Sequence, residues 1–304
     1  MRKPLTALLA TLLVGLSVTA YAKDTLTIAY AGSMGVVMDR ALGPAFARTN
    51  DVTYQGIGRG AWGLARLLAG KQMRADVFIS ITPGPIDLLI SDGLIKRAVP
   101  IASTQMVIAY SPKSRYAAQF KAAAEGKKSW YKILEQPGVH FGRTNPAVDP
   151  QGRNIIFTLL LAQRYYHRQN LANNILHGFQ NPQQIFSEAS LLSRLEAGQI
   201  DATSGYLSAV VSRHLPYIKL PTAINLSDPA LADTWYSKAH FNIRLPNGKT
   251  ETLGTQPLVF YAGVLTNARH PILARHFLAY LQSPQGQRLL REKGYSAPRG
   301  APLG

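Results

Sequence analysis

The run Phe141-Gly142-Arg143-Thr144-Asn145-Pro146-Ala147-Val148-Asp149-Pro150-Gln151-Gly152-Arg153 concentrates more chemistry than any other stretch of the chain. It leads from a short strand-like segment, residues 138–142, through a loop with two prolines and three charge-bearing side chains. The apolar, helix-length run Ile155–Tyr166 follows. A loop that ends at a helix N-terminus presents unpaired backbone N–H groups and the positive end of the helix dipole, so it favours an anion. Asp149 is out of place there, because a carboxylate repels an anion unless it does something chemically specific. On local pattern alone Asp149 reads as the N-cap of the helix, Asp being among the preferred capping residues.

The elements that must position this loop recur along the chain. Leu26–Tyr30 alternates like a strand, and Ala31-Gly32-Ser33-Met34-Gly35 then opens a helix to about Arg48. Val52–Ile57 is a second strand, followed by Gly58-Arg59-Gly60 and a helix over Ala61–Ala69. Ala75–Ser80 is a third, and Thr82-Pro83-Gly84-Pro85 leads into a helix at Ile86–Ser91. Strand, small-residue loop and helix in repetition mark parallel βαβ units, whose loops gather at one sheet edge where open α/β folds bind ligands. Gln105–Ser111 reads as a strand, Lys121–Leu134 as a polar, loosely helical segment, and Gln184–Ala197 as a helix ended by Gly198. Ile200–Tyr206 and Leu258–Leu265 are strand-like, and the tail His270–Arg291 is helical with a break at Ser283-Pro284. The expected fold class is α/β with two lobes, each a mixed sheet flanked by helices. Crossing strands join them near Gln105–Tyr110 and Val259–Leu265. This gives residues 23–105 and 265–304 to the first lobe and 106–264 to the second.

Residues 1–22 read as an export signal: Arg2 and Lys3 form the basic start, Leu5–Val18 the apolar core, and Ala20-Tyr21-Ala22 the cleavage site. The apolar run is too short for a confident membrane span. Removal leaves 282 residues, with 31 bases against 16 acids and a net charge of +15. Such a charge attracts anionic solutes, anionic membrane surfaces or nucleic acid. The bases are scattered without a long run or interleaved aromatics, which argues against a nucleic-acid groove. With no Cys there is no disulfide, no thiolate metal site and no residue for a lipid anchor at the cleavage point. A soluble periplasmic protein without a lipid anchor is expected.

The mature chain resembles the substrate-binding proteins of molybdate/tungstate ABC transporters, in particular the subgroup associated with archaeal tungstate uptake. The likeness rests on Ala31-Gly32-Ser33, Ala75-Asp76-Val77, Phe141-Gly142-Arg143, Asp149-Pro150-x-Gly152 and Leu195-Glu196-Ala197-Gly198-x-x-Asp201. It continues in Leu220-Pro221-x-x-Ile224-Asn225-Leu226-Ser227 and Ser283-Pro284-x-Gly286-Gln287. The resemblance implies a type II periplasmic binding protein that holds a tetrahedral oxyanion between its lobes and delivers it to an ABC permease. Its partners would be molybdate or tungstate and that permease, with no cofactor, no enzymatic activity and a monomeric state. Carried over by position, the ligand contacts are Gly32, Ser33, Gly60 and Ala61 from the first lobe, and Asp149 and Gly205-Tyr206 from the second. Asp149 is the residue implied to reach the Mo or W centre directly. Two departures stand out: Ala61 replaces a Ser, and Gly205 occupies the place of a second carboxylate, so the acidic pair that would expand the metal from four to six oxygens is incomplete.

From the residues alone, Ser33 reads equally as a ligand donor or an N-cap, and Arg59 as a solvated cation more than a grip on the anion. The seven His residues show no i, i+4 pair suited to zinc. Gly58-x-Gly60-x-x-Gly63 fits G-x-G-x-x-G, but its strand is not the first and no ribose-binding acid follows. Nucleophile elbows and P-loops are absent. The same fold could hold sulfate, phosphate or a small carboxylate instead, and an enzyme acting on an anionic substrate remains an alternative from another class.

Overall fold

The computed structural model describes residues 23–304 apart from Pro246 and Asn247, with only the backbone of Glu188 and Ala189. The export signal expected at residues 1–22 lies outside the described residues. The first sheet has the order β2-β1-β3-β11-β4, built from β1 (Thr25–Ala31), β2 (Thr53–Arg59), β3 (Val77–Ser80), β4 (Ile95–Ser103) and β11 (Val259–Leu265). The second has the order β6-β7-β5-β8, from β5 (Met106–Tyr110), β6 (Phe141–Gly142), β7 (Ala202–Tyr206) and β8 (Tyr217–Lys219). A hairpin of β9 (His240–Arg244) and β10 (Thr250–Gly254) stands beside them.

β1 pairs in parallel with β2 and β3, as the repeated strand–loop–helix pattern predicts, whereas β11 runs antiparallel to β3 and β4. Both sheets are therefore mixed, and helices such as Ala61–Ala69, Pro83–Ser91 and Pro150–Tyr165 flank them. The helix expected from Gly35 to Arg48 reaches Asn50, with a π turn at Met38–Leu42. The polar segment Lys121–Leu134 resolves into two short helices, Ala117–Ala124 and Trp130–Leu134. The tail breaks at Ser283, which ends Pro271–Gln282 and caps Pro284–Glu292.

One boundary differs from the sequence reading. Residues 259–264 were expected in the second lobe, yet β11 lies inside the first sheet, between β3 and β4. The strand is buried at nearly every position, and such a continuous apolar run carries no sign of which sheet it will join. The chain instead crosses just before it. Thr104 N–H donates to the Leu258 carbonyl at 3.0 Å, and Leu258 N–H donates to Leu226 at 2.9 Å. The Asn225 motif supports this joint: its buried amide donates to Gln105 Oε1 (2.8 Å) and the Leu220 carbonyl (3.1 Å), and its Oδ1 accepts from Ser227 N–H.

Candidate functional site

A cavity of about 310 Å³ opens between the two sheets. Its first-lobe wall consists of Gly32, Ser33, Gly35, Val36, Asp39, Arg40 and Gly58. Its second-lobe wall is Gln151, Leu191, Leu192, Tyr206, Ala209 and Arg213. At roughly 30 Å³ per water, the space holds on the order of ten waters, or a small solute with part of its hydration shell.

The first-lobe wall follows from the sequence of β1. The strand ends at Ala31, and a single 3-10 turn over Gly32–Met34 begins at once, continuing into the helical stretch from Gly35. Ala31 holds the N-cap position, so Ser33 lies inside the turn and does not cap it. Its hydroxyl enters no hydrogen bond among the described residues, while its carbonyl accepts from the Tyr295 hydroxyl at 3.4 Å. N–H groups at a helix start have no partner within the helix, so they add donors beside that hydroxyl.

Asp39 also faces the cavity, but its carboxylate is engaged. Tyr30 donates to both oxygens at 2.7 Å and Tyr54 donates to Oδ1 at 2.9 Å. Burial, and then the Asp39 carboxylate, pushes the Tyr30 phenol above its ordinary value; burial, Tyr30 and Asp39 do the same to Tyr54. Both phenols stay protonated and keep donating. Arg40 is exposed, and Arg213 lies 3.3 Å from Glu196.

The second-lobe wall is organised by Asp149-Pro150-Gln151-Gly152. Asp149 is the N-cap of the Pro150–Tyr165 helix, with Oδ1 accepting from Gln151 N–H at 2.8 Å, and Pro150 takes the first helical turn. A Cβ at Gly152 would overlap the Thr144 carbonyl and stand 2.7 Å from Pro146 N, so glycine lets the loop fold back onto its helix. Arg153 locks the same loop by donating from Nε to the Pro146 carbonyl at 2.8 Å and from Nη2 to Ala147 at 3.3 Å. Asp149 is buried, and burial pushes its carboxyl up; the N–H groups of Gln151 and Gly152, the Thr144 hydroxyl and Arg153 pull the other way. Gln151 donates its amide to the Ser204 carbonyl at 2.7 Å, and its buried Oε1 has no partner among the described residues.

Among the residues singled out from sequence, Gly32, Ser33 and Tyr206 line the cavity. Asp149, Gly60 and Ala61 do not; Gly60 instead approaches the loop of Asp149, where a Cβ would stand 3.3 Å from the Val148 carbonyl. Ala61 is buried at the start of its helix, and Arg59 is an exposed strand end. Gly205 is buried in β7, where a Cβ would come within 2.7 Å of a Val210 methyl. The Tyr206 hydroxyl accepts from Asn154 Nδ2 at 3.0 Å. Asp201 sits at the other end of β7, accepting from the Ser114 hydroxyl and His140 N–H. Sequence reasoning missed Asp39, Arg40, Gln151 and Arg213. Only Gln151 had a signal, as the variable residue of the Asp-Pro-x-Gly motif at a helix start.

Residues 26–296 match the model of the bacterial extracellular solute-binding protein family. The chain belongs to that family. Among its relatives is the molybdate/tungstate-binding protein WtpA of Pyrococcus abyssi, 28% identical over 293 residues that cover 88% of this chain and 83% of the relative. Two solved structures share the fold of this solute-binding protein. One is the periplasmic molybdate-binding protein of Azotobacter vinelandii, with a TM-score of 0.65 and 14% identity over 90% of this chain and 100% of that one. The other is the sulfate-binding protein SubI of Mycobacterium tuberculosis, with a TM-score of 0.61 and 12% identity over 90% and 87%. Among the described residues no helix is long and apolar enough to cross a membrane, and no cluster of His, Cys, Asp and Glu could hold a metal ion.

Proposed function

We propose that the protein captures molybdate or tungstate as a tetrahedral oxyanion in the cavity between its lobes and hands it to an ABC permease. The observation that carries this reading is the first-lobe wall. Ser33, whose hydroxyl is unengaged among the described residues, and the start of its helix line a cavity that also takes in Arg40 and Arg213. Neutral donors on a rigid turn suit a dianion, because they need no proton transfer or counterion rearrangement on binding. The relatedness to WtpA supports the choice among oxyanions. In this reading Gly32, Ser33 and Tyr206 contact or enclose the ligand. Gly60, Ala61 and Asp149 shape the neighbouring contact between lobes, and direct coordination of the metal centre by Asp149 is disfavoured by its use as a cap. The lobes hinge at the crossings near Thr104 and Leu258. The protein works as a periplasmic monomer without a lipid anchor, and it binds without turnover.

Thermal-shift and calorimetric titration of the mature protein against molybdate, tungstate, chromate, sulfate, phosphate and small organic acids tests this. Selective binding raises stability by RT ln(1 + [L]/Kd), about 2.7 kcal/mol at a hundredfold excess over Kd. A response to sulfate or phosphate alone would replace the ligand, and chemical conversion of any bound anion would replace capture by catalysis.

A further inference from the structure

Next to the cavity, a second contact spans the cleft. Trp62, in the first turn of the Ala61–Ala69 helix of the first lobe, has its ring centre 5.6 Å from the guanidinium carbon of Arg153. Arg153 belongs to the first turns of the Pro150–Tyr165 helix of the second lobe and is buried to 7% exposure. Arg66, one turn beyond Trp62, places its own guanidinium 5.8 Å from the same ring. Gly84 closes over the indole from within the first lobe, where a Cβ would stand 2.7 Å from a ring carbon, and its N–H donates to Gln256 Oε1 at 3.2 Å. The ring is thus held in place by its own lobe and presented to the other.

We propose that Trp62 and Arg153 form a tie across the cleft that favours the closed arrangement and slows escape of the captured anion. The proposal rests on the capture reading above. Arg153 acts as a positioning residue: the fork that binds the carbonyls of Pro146 and Ala147 fixes the loop carrying Val148 and Asp149, and the same guanidinium docks that loop on Trp62. An indole face attracts a cation through its quadrupole, more strongly where water is displaced. A contact made only when the lobes meet raises the closed population, and apparent affinity scales with the fraction of molecules able to close. The tie forms with or without ligand and must break before the anion can leave, so its loss shows in dissociation.

Two variants test it, Trp62→Leu, which keeps an apolar side chain under Gly84 without a π face, and Arg153→Lys, which keeps a cation without the fork. Small-angle scattering of the ligand-free protein reads the separation of the lobes, and stopped-flow mixing with molybdate reads the two rate constants. Trp62→Leu is expected to enlarge the radius of gyration of the ligand-free protein and to speed dissociation roughly two- to thirtyfold. Arg153→Lys should fall between it and wild type. An unchanged radius and unchanged dissociation in Trp62→Leu overturn the tie, whether or not the melting temperature falls. Should wild type fail to bind molybdate, the capture reading fails, and the scattering comparison still decides the tie, since it needs no ligand.

Discussion

The two loops that resemblance singles out as ligand-binding use their polar groups in opposite ways. Around Ser33 the hydroxyl has no partner among the described residues, and the turn is braced from behind by Tyr295. Around Asp149 the loop is self-consuming: the carboxylate takes the N–H of Gln151, Gly152 packs under Thr144, and Arg153 takes two carbonyls. The helix end that looked most like an anion site is already occupied by the chain's own carboxyl group. The donors left for a solute lie on the loop with no charge at all. A motif that recurs with function can serve as the frame of a site while a plainer segment supplies its contacts.

Completing the acidic pair gives the largest expected effect. Gly205→Asp forces a Cβ against Val210 and buries a carboxylate in β7 without a cation, so it should cost about 3–5 kcal/mol in denaturant unfolding. A stable variant with extra oxygens around bound tungstate, seen by X-ray absorption, would overturn the idea that this strand has no room for the second carboxylate. Next comes Ser33→Ala, which removes one hydrogen bond to a charged ligand worth about 1.5–3 kcal/mol and should weaken binding roughly ten- to a hundredfold in calorimetry, with the fold intact. Unchanged affinity would leave the first-lobe loop as silent as the second.

Asp149→Asn should change affinity by no more than a few-fold, because Asn caps as well as Asp. A tenfold loss, or a tungstate centre with more than four oxygens in wild type, would restore direct coordination. Its pH signature has a definite sign. The folded carboxyl sits above its ordinary value of 3.8, so its contribution to stability is fully present below that value and is lost as pH rises through the folded value. The Asn variant lacks this loss, so relative to wild type it should be more stable at pH 7 than at pH 4, as read by melting temperature. The smallest effect belongs to Arg59→Ala, exposed and not part of the cavity wall, with stability within about 0.5 kcal/mol and unchanged affinity.

Much of this fold is legible because short alternating or continuous apolar runs coincide with small-residue loops at β1, β2 and β3. β4 escaped notice because Lys96, Arg97 and Pro100 interrupt it, yet it forms the edge of its sheet, where a proline and charges facing solvent are tolerated. The β9–β10 hairpin carried an alternating signal in His240–Arg244 that was not read. At the site, Ser33 and Gly32 were legible because they follow the first strand directly. Asp39, Arg40 and Arg213 reach the cavity only through packing, and nothing in their local sequence marks them. Asp149 was legible twice over, as cap and as ligand, and local geometry favours the cap.

The position of β11 has a consequence for how the molecule comes into being. β3 and β4 are near neighbours in sequence, yet they are kept apart by a strand that arrives only after the entire second lobe. A chain emerging from its N-terminus therefore cannot finish the first sheet; a central slot stays open until residues 259–265 appear. Pairings that wait on such distant segments are slow to form. Until that strand pairs, β3 keeps an unpaired edge and β4 has no strand of the sheet to join, so the first lobe is completed only after the second has been made.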